Sequence, residues 1–332
     1  MRSVFAAAAL ALAIPAFAGE PAWHFKPGQT FTYECQSEFH YISQGNTAAL
    51  AGPGTQGGRT TTTEDPQWET VTLKATVLAV GDDGAARIEF VVDGVRIETR
   101  FDSSGDHAEW DSSKDKTTDI VGYKRFEAIV GHKFQAIVGG DGSIREMKNG
   151  AWPKMDTTGL KPAKKNEREE RAATATHDPT PSEAWLNMIF CTAPEEKESW
   201  KRTLKLGGDE NLSVKLDGKE TVGKYACVRS KMESSDKNRA VKAEDVKVAP
   251  GGGVAEIAMA LVNACEKKGI SWFSRQAGCL VKVELEGATE QSSGRETIRT
   301  SFKWIVELKD RSTTELTPGS GTPEGGGVTE TK

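Results

Sequence analysis

The sequence FTYECQSEFHY at residues 31–41 decides how this chain folds. Five of its six odd-numbered positions carry aromatic residues or cysteine, and polar or charged residues fill the positions between them. Because successive side chains of a β-strand point to opposite faces, this period of two predicts a long strand with one apolar, buried face.

The same period recurs along most of the chain and predicts a meander of antiparallel strands. Asp-Gly pairs at 93–94, 141–142 and 217–218 separate consecutive runs, which is typical of tight hairpins. We therefore expect a mainly β fold, built either as two similar lobes or as one large curved sheet. The further predicted strands are 71–80, 87–92, 95–101, 133–138, 144–147, 212–216, 225–230, 279–285 and 300–308.

The sequence predicts one or two short helices. Pro181 and Glu183 precede an apolar run at 184–190, and proline and acidic residues are favoured in the first turn of a helix. The Ala-rich run 254–268 places apolar residues on one side at helical spacing, with Gly269 as its end.

Composition excludes several classes of protein. The 332 residues carry a formal net charge of −5, 27% are charged, and the pI is about 5.7. This composition argues against a collagen, a wholly disordered chain and a polytopic membrane protein. With no block of Lys and Arg, nucleic-acid binding is not expected.

Residues 1–18 have the pattern of a secretory signal peptide. Arg2 is followed by an apolar run to Ile14, and residues 16–18 (AFA) form a small-x-small cleavage site. The run is too short for a membrane span, and no later stretch is long enough. We expect a periplasmic or secreted protein without a transmembrane segment.

Shifts in composition divide the rest of the chain into four segments. We predict an N-terminal β lobe at 19–156, a charged linker at 157–181, and a C-terminal β lobe with helices at 182–310. Residues 311–332 contain Ser, Thr, Gly and Pro without apolar periodicity, which predicts a disordered tail. The Gly- and Thr-rich residues 45–66 predict a long hairpin loop.

Five cysteines are present, so at least one is left over if disulfides form. Cys227 and Cys279 lie in strand-like runs of the same half, where a disulfide would cross-link neighbouring strands. The alternative is that these two and the other three cysteines (Cys35, Cys191 and Cys265) are all small buried hydrophobic residues.

Motifs that carry catalysis or hold a metal are absent from the sequence. It has no GxSxG, SxxK, HExxH or CxxC, and its glycine-rich stretches match no phosphate loop. The acidic stretch that begins at Asp102 fails as an EF-hand, because its sixth position is His107 and its twelfth is Ser113. We predict no cofactor, no metal site and no catalytic residue.

Aromatic residues are concentrated in the second half, where Trp272, Phe273 and Trp304 are candidate ligand-binding residues. In an apolar groove they could receive an acyl chain or a hydrophobic peptide. The alternative is that they fill the core between sheets.

The opening residues 23–33 (WHFKPGQTFTY) resemble the first strand of a group of uncharacterised exported bacterial β-rich proteins. In that group a Lys-Pro/Gly-Gly-x-x-(Phe/Tyr) entry leads into long hairpins, matched here from Lys26. A Gly-x-x-Phe hairpin, matched at Gly131 and Phe134, then precedes a proline and a tryptophan, matched at Pro194 and Trp200. The resemblance spans about residues 22–309 and implies the β fold and export, but no activity.

These observations favour an exported, non-enzymatic protein that binds a hydrophobic small molecule or an envelope protein on a concave sheet. The alternative is a secreted hydrolase with a carboxylate-based site. A third hypothesis is that the protein is an interaction module that binds partners through exposed strand edges.

Overall fold

The computed structural model describes residues 23–46, 60–64, 66–101, 106–153, 179–206, 208–234, 265–293 and 296–314. The strands are β1 (Gln29–Asn46), β2 (Thr60–Glu64), β3 (Gln67–Val80), β4 (Ala86–Phe101), β5 (Asp106–Asp111), β6 (Lys133–Val138), β7 (Ile144–Lys148), β8 (Ser199–Lys205), β9 (Asp209–Val222), β10 (Tyr225–Ser234), β11 (Lys267–Ser274), β12 (Cys279–Ser293) and β13 (Glu296–Thr313). The helices are α1 (Lys124–Glu127), which follows a 3-10 turn at Val121–Tyr123, and α2 (Ser182–Phe190).

The thirteen strands form one antiparallel sheet in the order β7-β6-β4-β3-β1-β13-β12-β11-β10-β9-β8, with β2 added to β1 and β5 added to β4. The first and second halves of the chain meet where β1 pairs with β13. The predicted mainly β fold is confirmed, and of its two predicted forms the structure has the one large sheet.

The period of two in the sequence determines which face of the sheet is buried. On β1, Phe31, Tyr33, Cys35 and Phe39 are at most 1% exposed and Ser37 is buried with them, whereas Thr32, Glu34, Gln36 and Glu38 are half-buried on the other side. Since β3, β4, β12 and β13 alternate in the same way, their apolar side chains form one continuous core.

Helix α2 lies on the apolar face of the sheet and contacts strands from both ends of the path, β7 and β8, as well as β12 and β13. The sheet therefore curls around the helix, and the concave face is the buried one. Eight of the nine residues of α2 are buried, so this short segment is stabilised by packing on several sides. The helix predicted at 184–190 is confirmed.

Two of the three predicted Asp-Gly turns are wrong. Strand β4 continues through Asp93-Gly94: Gly94 pairs with Thr72 and Val92 with Leu73, so Asp93 is an extra residue. Strand β9 continues through Asp217-Gly218 in the same manner, and its hairpin turn lies at Gly223. Both sites are β-bulges, which favour the same residues as tight turns. The turn at Asp141-Gly142 is confirmed between β6 and β7.

Several predicted segments lie wholly or mostly outside the described residues, namely the signal peptide, most of the charged linker and residues 254–264 of the predicted second helix. Where that helix was predicted to end, Lys267 and Lys268 instead begin β11, so this part of the prediction is wrong. Strand β13 continues to Thr313, three residues into the predicted tail. Within the predicted loop 45–66, Thr60–Glu64 form β2.

Candidate binding surfaces of the curved sheet

The three aromatic residues predicted to bind a ligand lie on both faces of the sheet. Phe273 and Trp304 are fully buried on the concave face. Trp272 lies on the convex face, where its side chain packs with Cys227 and Val281. A bulge in β12 places Val281 beside Trp272, because the register of β11 and β12 shifts between Trp272 and Phe273.

The convex-face Trp272 has its own polar partners. Its indole N–H donates to Glu220 Oε2 at 2.9 Å, and Lys282 Nζ lies 5.5 Å from the ring centroid. The structure therefore brings Phe273 and Trp304 to one interior and holds Trp272 outside it.

The interior of the sheet has an aromatic end, formed in part by the residues just before β1. The Trp23 ring stacks on Phe25 at 5.5 Å and lies 4.8 Å from the Phe190 ring of α2 and 5.3 Å from the Phe273 ring. Trp23 Nε1 donates to the Phe190 carbonyl at 3.2 Å, which satisfies the one polar group of this cluster. This end is closed by rings from three different segments.

The opposite end of the interior is polar, and its centre is the carboxyl group of Glu69. This side chain is 1% exposed and accepts hydrogen bonds from Ser37 Oγ at 2.8 Å and from Thr180 Oγ1 at 3.0 Å. Burial raises the pKa of Glu69 to about 7, and these hydrogen bonds offset part of that rise. The carboxyl group thus joins β1, β3 and the residues that lead into α2.

A buried ion pair lies at the same end of the interior. Lys267 Nζ lies 2.7 Å from Glu210 Oε2, while Glu210 Oε1 accepts a hydrogen bond from Ser234 Oγ at 2.7 Å. The Ser234 hydroxyl in turn accepts from the Lys267 backbone N–H. Charges this deep are retained only when they are paired and hydrogen-bonded, as these are.

Two indole N–H groups near the polar end have no hydrogen-bond acceptor; Trp304 pairs with Ser37 across β1 and β13. The Trp185 ring on α2 and the Trp304 ring on β13 are 6.1 Å apart between centroids, and both residues are fully buried. Neither Nε1 has a partner in the structure. A buried donor without an acceptor costs about 1–3 kcal/mol, so this contact suits a molecule that supplies one.

All five cysteines are buried free thiols. Burial raises the pKa of Cys191, Cys265 and Cys279 to about 11 and raises those of Cys35 and Cys227 as well. Thiols with raised pKa react slowly, because the thiolate is the reactive form. The pairing of Cys227 with Cys279 stays a prediction that a count of reactive thiols would test.

A groove of about 650 Å³ lies between β1 and β10, lined by charged residues of the convex face and by the buried Ser234, Lys267 and Phe302. Its charged side chains pair across strands: Lys268 lies 3.1 Å from Glu286, and Lys303 lies 3.6 Å from Glu284 just beyond the groove. Opposite charges on neighbouring strands stabilise a solvated sheet face. Cross-strand pairing therefore accounts for these charged side chains of the groove.

The described ranges contain no group of three or more His, Cys, Asp or Glu residues able to hold a metal ion. None of the helices found there is long and apolar enough to cross a bilayer.

Glu69 is not among the site residues predicted from the sequence, although a signal for it is present. Glu69 is in phase with Val71 and Leu73 on β3, so the alternation that predicts their burial also places Glu69 on the apolar face. The two unpaired indoles have no comparable signal, because their lack of partners depends on how α2 packs against β13.

No protein-family model and no curated protein matches this sequence. Among solved structures the chain is similar to one that concerns lipid–protein interactions in lipovitellin, with a TM-score of 0.47 and 8% identity over 90% of this chain. It is also similar to a DUF1329 family protein from Desulfovibrio piger ATCC 29098, with a TM-score of 0.14 and 8% identity over 84% of this chain and 85% of that one. The chain spans 27% of the length of the lipovitellin chain. Both TM-scores are below 0.5, so neither similarity identifies a ligand for this protein.

Proposed function

We propose that this protein is an exported, non-enzymatic binding protein that holds a hydrophobic molecule with one polar end against the concave face of its sheet. The observation that carries the proposal is the pair of buried indoles of Trp185 and Trp304, whose ring centroids lie 6.1 Å apart between α2 and β13 and whose N–H groups both lack an acceptor. A carboxylate or ester oxygen would satisfy both donors.

The division of the interior into two ends supports the same class of ligand. Rings of Trp23, Phe190 and Phe273 provide apolar contacts at one end. Glu69 and Lys267, with their hydroxyl partners, provide polar groups at the other. A fatty acid matches this arrangement when its chain lies among the rings and its carboxylate lies between the indoles.

The geometry also places a condition on binding. Since α2 covers the concave face and its residues are buried, the ligand enters only when α2 moves away from β13. We therefore expect slow association that is faster under conditions that loosen the helix.

The test is the dissociation constant for palmitate, measured by native mass spectrometry and by calorimetry. Trp304→Phe keeps an aromatic ring but removes one N–H donor, so we expect binding about fivefold weaker, equivalent to about 1 kcal/mol. Trp272→Phe is the matched control, because its indole lies on the convex face and is already paired with Glu220. Trp272→Phe should leave the dissociation constant for palmitate unchanged.

Three outcomes would contradict the proposal: no retention of palmitate by the native protein, equal weakening by both substitutions, or no weakening by Trp304→Phe. Should Trp304→Phe fail to fold, Trp185→Phe removes the other donor and carries the same expectation.

A further inference from the structure

The two ends of the sheet path, β7 and β8, face each other across a cleft of about 510 Å³. Within the described residues β7 pairs only with β6, and β8 pairs only with β9. Asn187 and Cys191, at the C-terminal half and end of α2, contribute to the lining of the cleft. Over the described ranges the curled sheet is thus a barrel left open at one place, which we call the β7–β8 seam.

The direction of the two strands means that the seam could close on itself only as a parallel pair in an otherwise antiparallel sheet. The path contains eleven strands, and every neighbouring pair is antiparallel. The first and last strands of such a path run in the same direction because eleven is odd. One added strand of opposite direction would make the number even and give β7 and β8 an antiparallel partner each.

The edge of β8 presents backbone groups to this seam. The Lys205 N–H donates to Asn187 Oδ1 at 3.1 Å on the α2 side, whereas the Leu206 N–H points to Gly208 on the β9 side. Because backbone direction alternates along a strand, Lys201 and Thr203 also present N–H and C=O groups to the seam.

A side chain in the seam also lacks an acceptor. Arg202 Nη2 lies 3.5 Å from the Asp141 carbonyl at the β6–β7 turn, so this side chain bridges the cleft. Its Nε is buried and has no hydrogen-bond partner in the structure. A backbone carbonyl that entered the seam would supply the missing acceptor.

From this geometry we infer that the β7–β8 seam binds one extended segment of a partner polypeptide, running opposite to β7 and β8. The edge of another folded sheet does not fit, since a strand between two others needs both of its own edges free. With edges of five and seven residues, the bound segment is about six residues long. This inference does not depend on a ligand in the interior.

The lining of the seam indicates the composition of that segment. Ile144 and Met147 of β7 pack against the core, so side chains that point inward from the segment are apolar. The basic residues Arg145, Lys201, Arg202 and Lys205 of the lining are matched in number by the acidic residues Glu146, Glu183, Glu195 and Asp209. A neutral segment with alternating apolar and polar residues therefore fits best.

The test uses the full chain and a fluorescein-labelled heptapeptide, Thr-Val-Thr-Val-Thr-Val-Thr, followed by fluorescence anisotropy. Lys201→Pro removes one edge N–H and should weaken binding at least tenfold. Lys201→Ala removes the side chain and keeps the N–H, so it should weaken binding far less than Lys201→Pro does.

Hydrogen exchange of the unmodified protein supplies a second measurement that needs no variant. Bound peptide should slow amide exchange in β7 and β8 together. Protection of neither strand, protection of one strand alone, or binding that survives Lys201→Pro would overturn the inference. Self-association that protects the seam without peptide would also overturn it, because the occupant would then be a second copy.

Discussion

At the scale of single residues, Glu69 is the carboxyl group whose environment departs most from that of a surface acid. It is buried between Ser37 and Thr180, and burial raises its pKa to about 7. In the unfolded chain its pKa is near 4.5. The two states therefore bind protons differently between these values, which links the stability of the fold to pH.

We predict that the free energy of unfolding falls by about 3 kcal/mol between pH 4.5 and 7 because of Glu69 alone. Below pH 4.5 the carboxyl group is protonated in both states, so its favourable contribution is complete. As pH rises towards 7 the unfolded chain ionises first, and the contribution is lost. Glu69→Gln stays neutral and should remove this fall, as measured by urea unfolding across the pH range.

The matched control is Glu286→Gln, because Glu286 is an exposed carboxyl on the convex face. It should leave the pH profile of the native protein unchanged. A Glu69→Gln profile parallel to that of the native protein would show that the buried carboxyl group does not cause the dependence.

At the scale of elements, the Asp-Gly pairs show where the sequence stops determining local structure. The pairs at 93–94 and 217–218 lie within strands, and the pair at 141–142 forms a turn. All three offer the same local chemistry. The difference comes from the neighbouring strands: β3 stays paired with β4 beyond residue 94, and β10 stays paired with β9 beyond residue 218, so the chain continues there.

Alternation along β1, β3 and β13 was sufficient to predict the strands and their buried faces. The apolar run at 184–190 was sufficient for α2. The sequence could not predict that α2 would lie inside the sheet or that β7 and β8 would face each other, because both depend on how far the sheet curls.

Gly142 fixes the β6–β7 turn against the end of α2, and we predict that Gly142→Ala destabilises the fold by at least about 3 kcal/mol. Its φ of 84° disfavours any side chain, and a Cβ there would overlap the Phe190 carbonyl oxygen. Thermal and urea unfolding would measure the loss.

Gly84→Ala is the control for backbone strain alone. Gly84 has a similar φ of 75°, but a Cβ there would meet nothing within 4 Å. Gly84→Ala should lower the free energy of unfolding by about 1 kcal/mol. Equal losses for the two substitutions would show that contact between the turn and α2 contributes nothing.

At the scale of the whole molecule, the two halves of the chain share one sheet and one core. Strand β1 pairs with β3 of its own half and with β13 of the other half. The Phe39 ring lies 6.5 Å from the Trp304 ring across that boundary. A protein built in this way has no surface along which the halves could separate without breaking a continuous ladder of hydrogen bonds.

We therefore predict that a destabilising substitution in one half lowers the free energy of unfolding of both halves equally. Val71→Ala removes buried methyl groups from β3 and should cost about 2 kcal/mol. If the halves unfold together, the slowest amides of β12, in the other half, should exchange about 30-fold faster, as should those of β3. Thr72→Ala on the convex side of the same strand is the control and should change exchange little. Acceleration confined to β3 would show two lobes that open independently, because only a shared transition transmits the loss from β3 to β12.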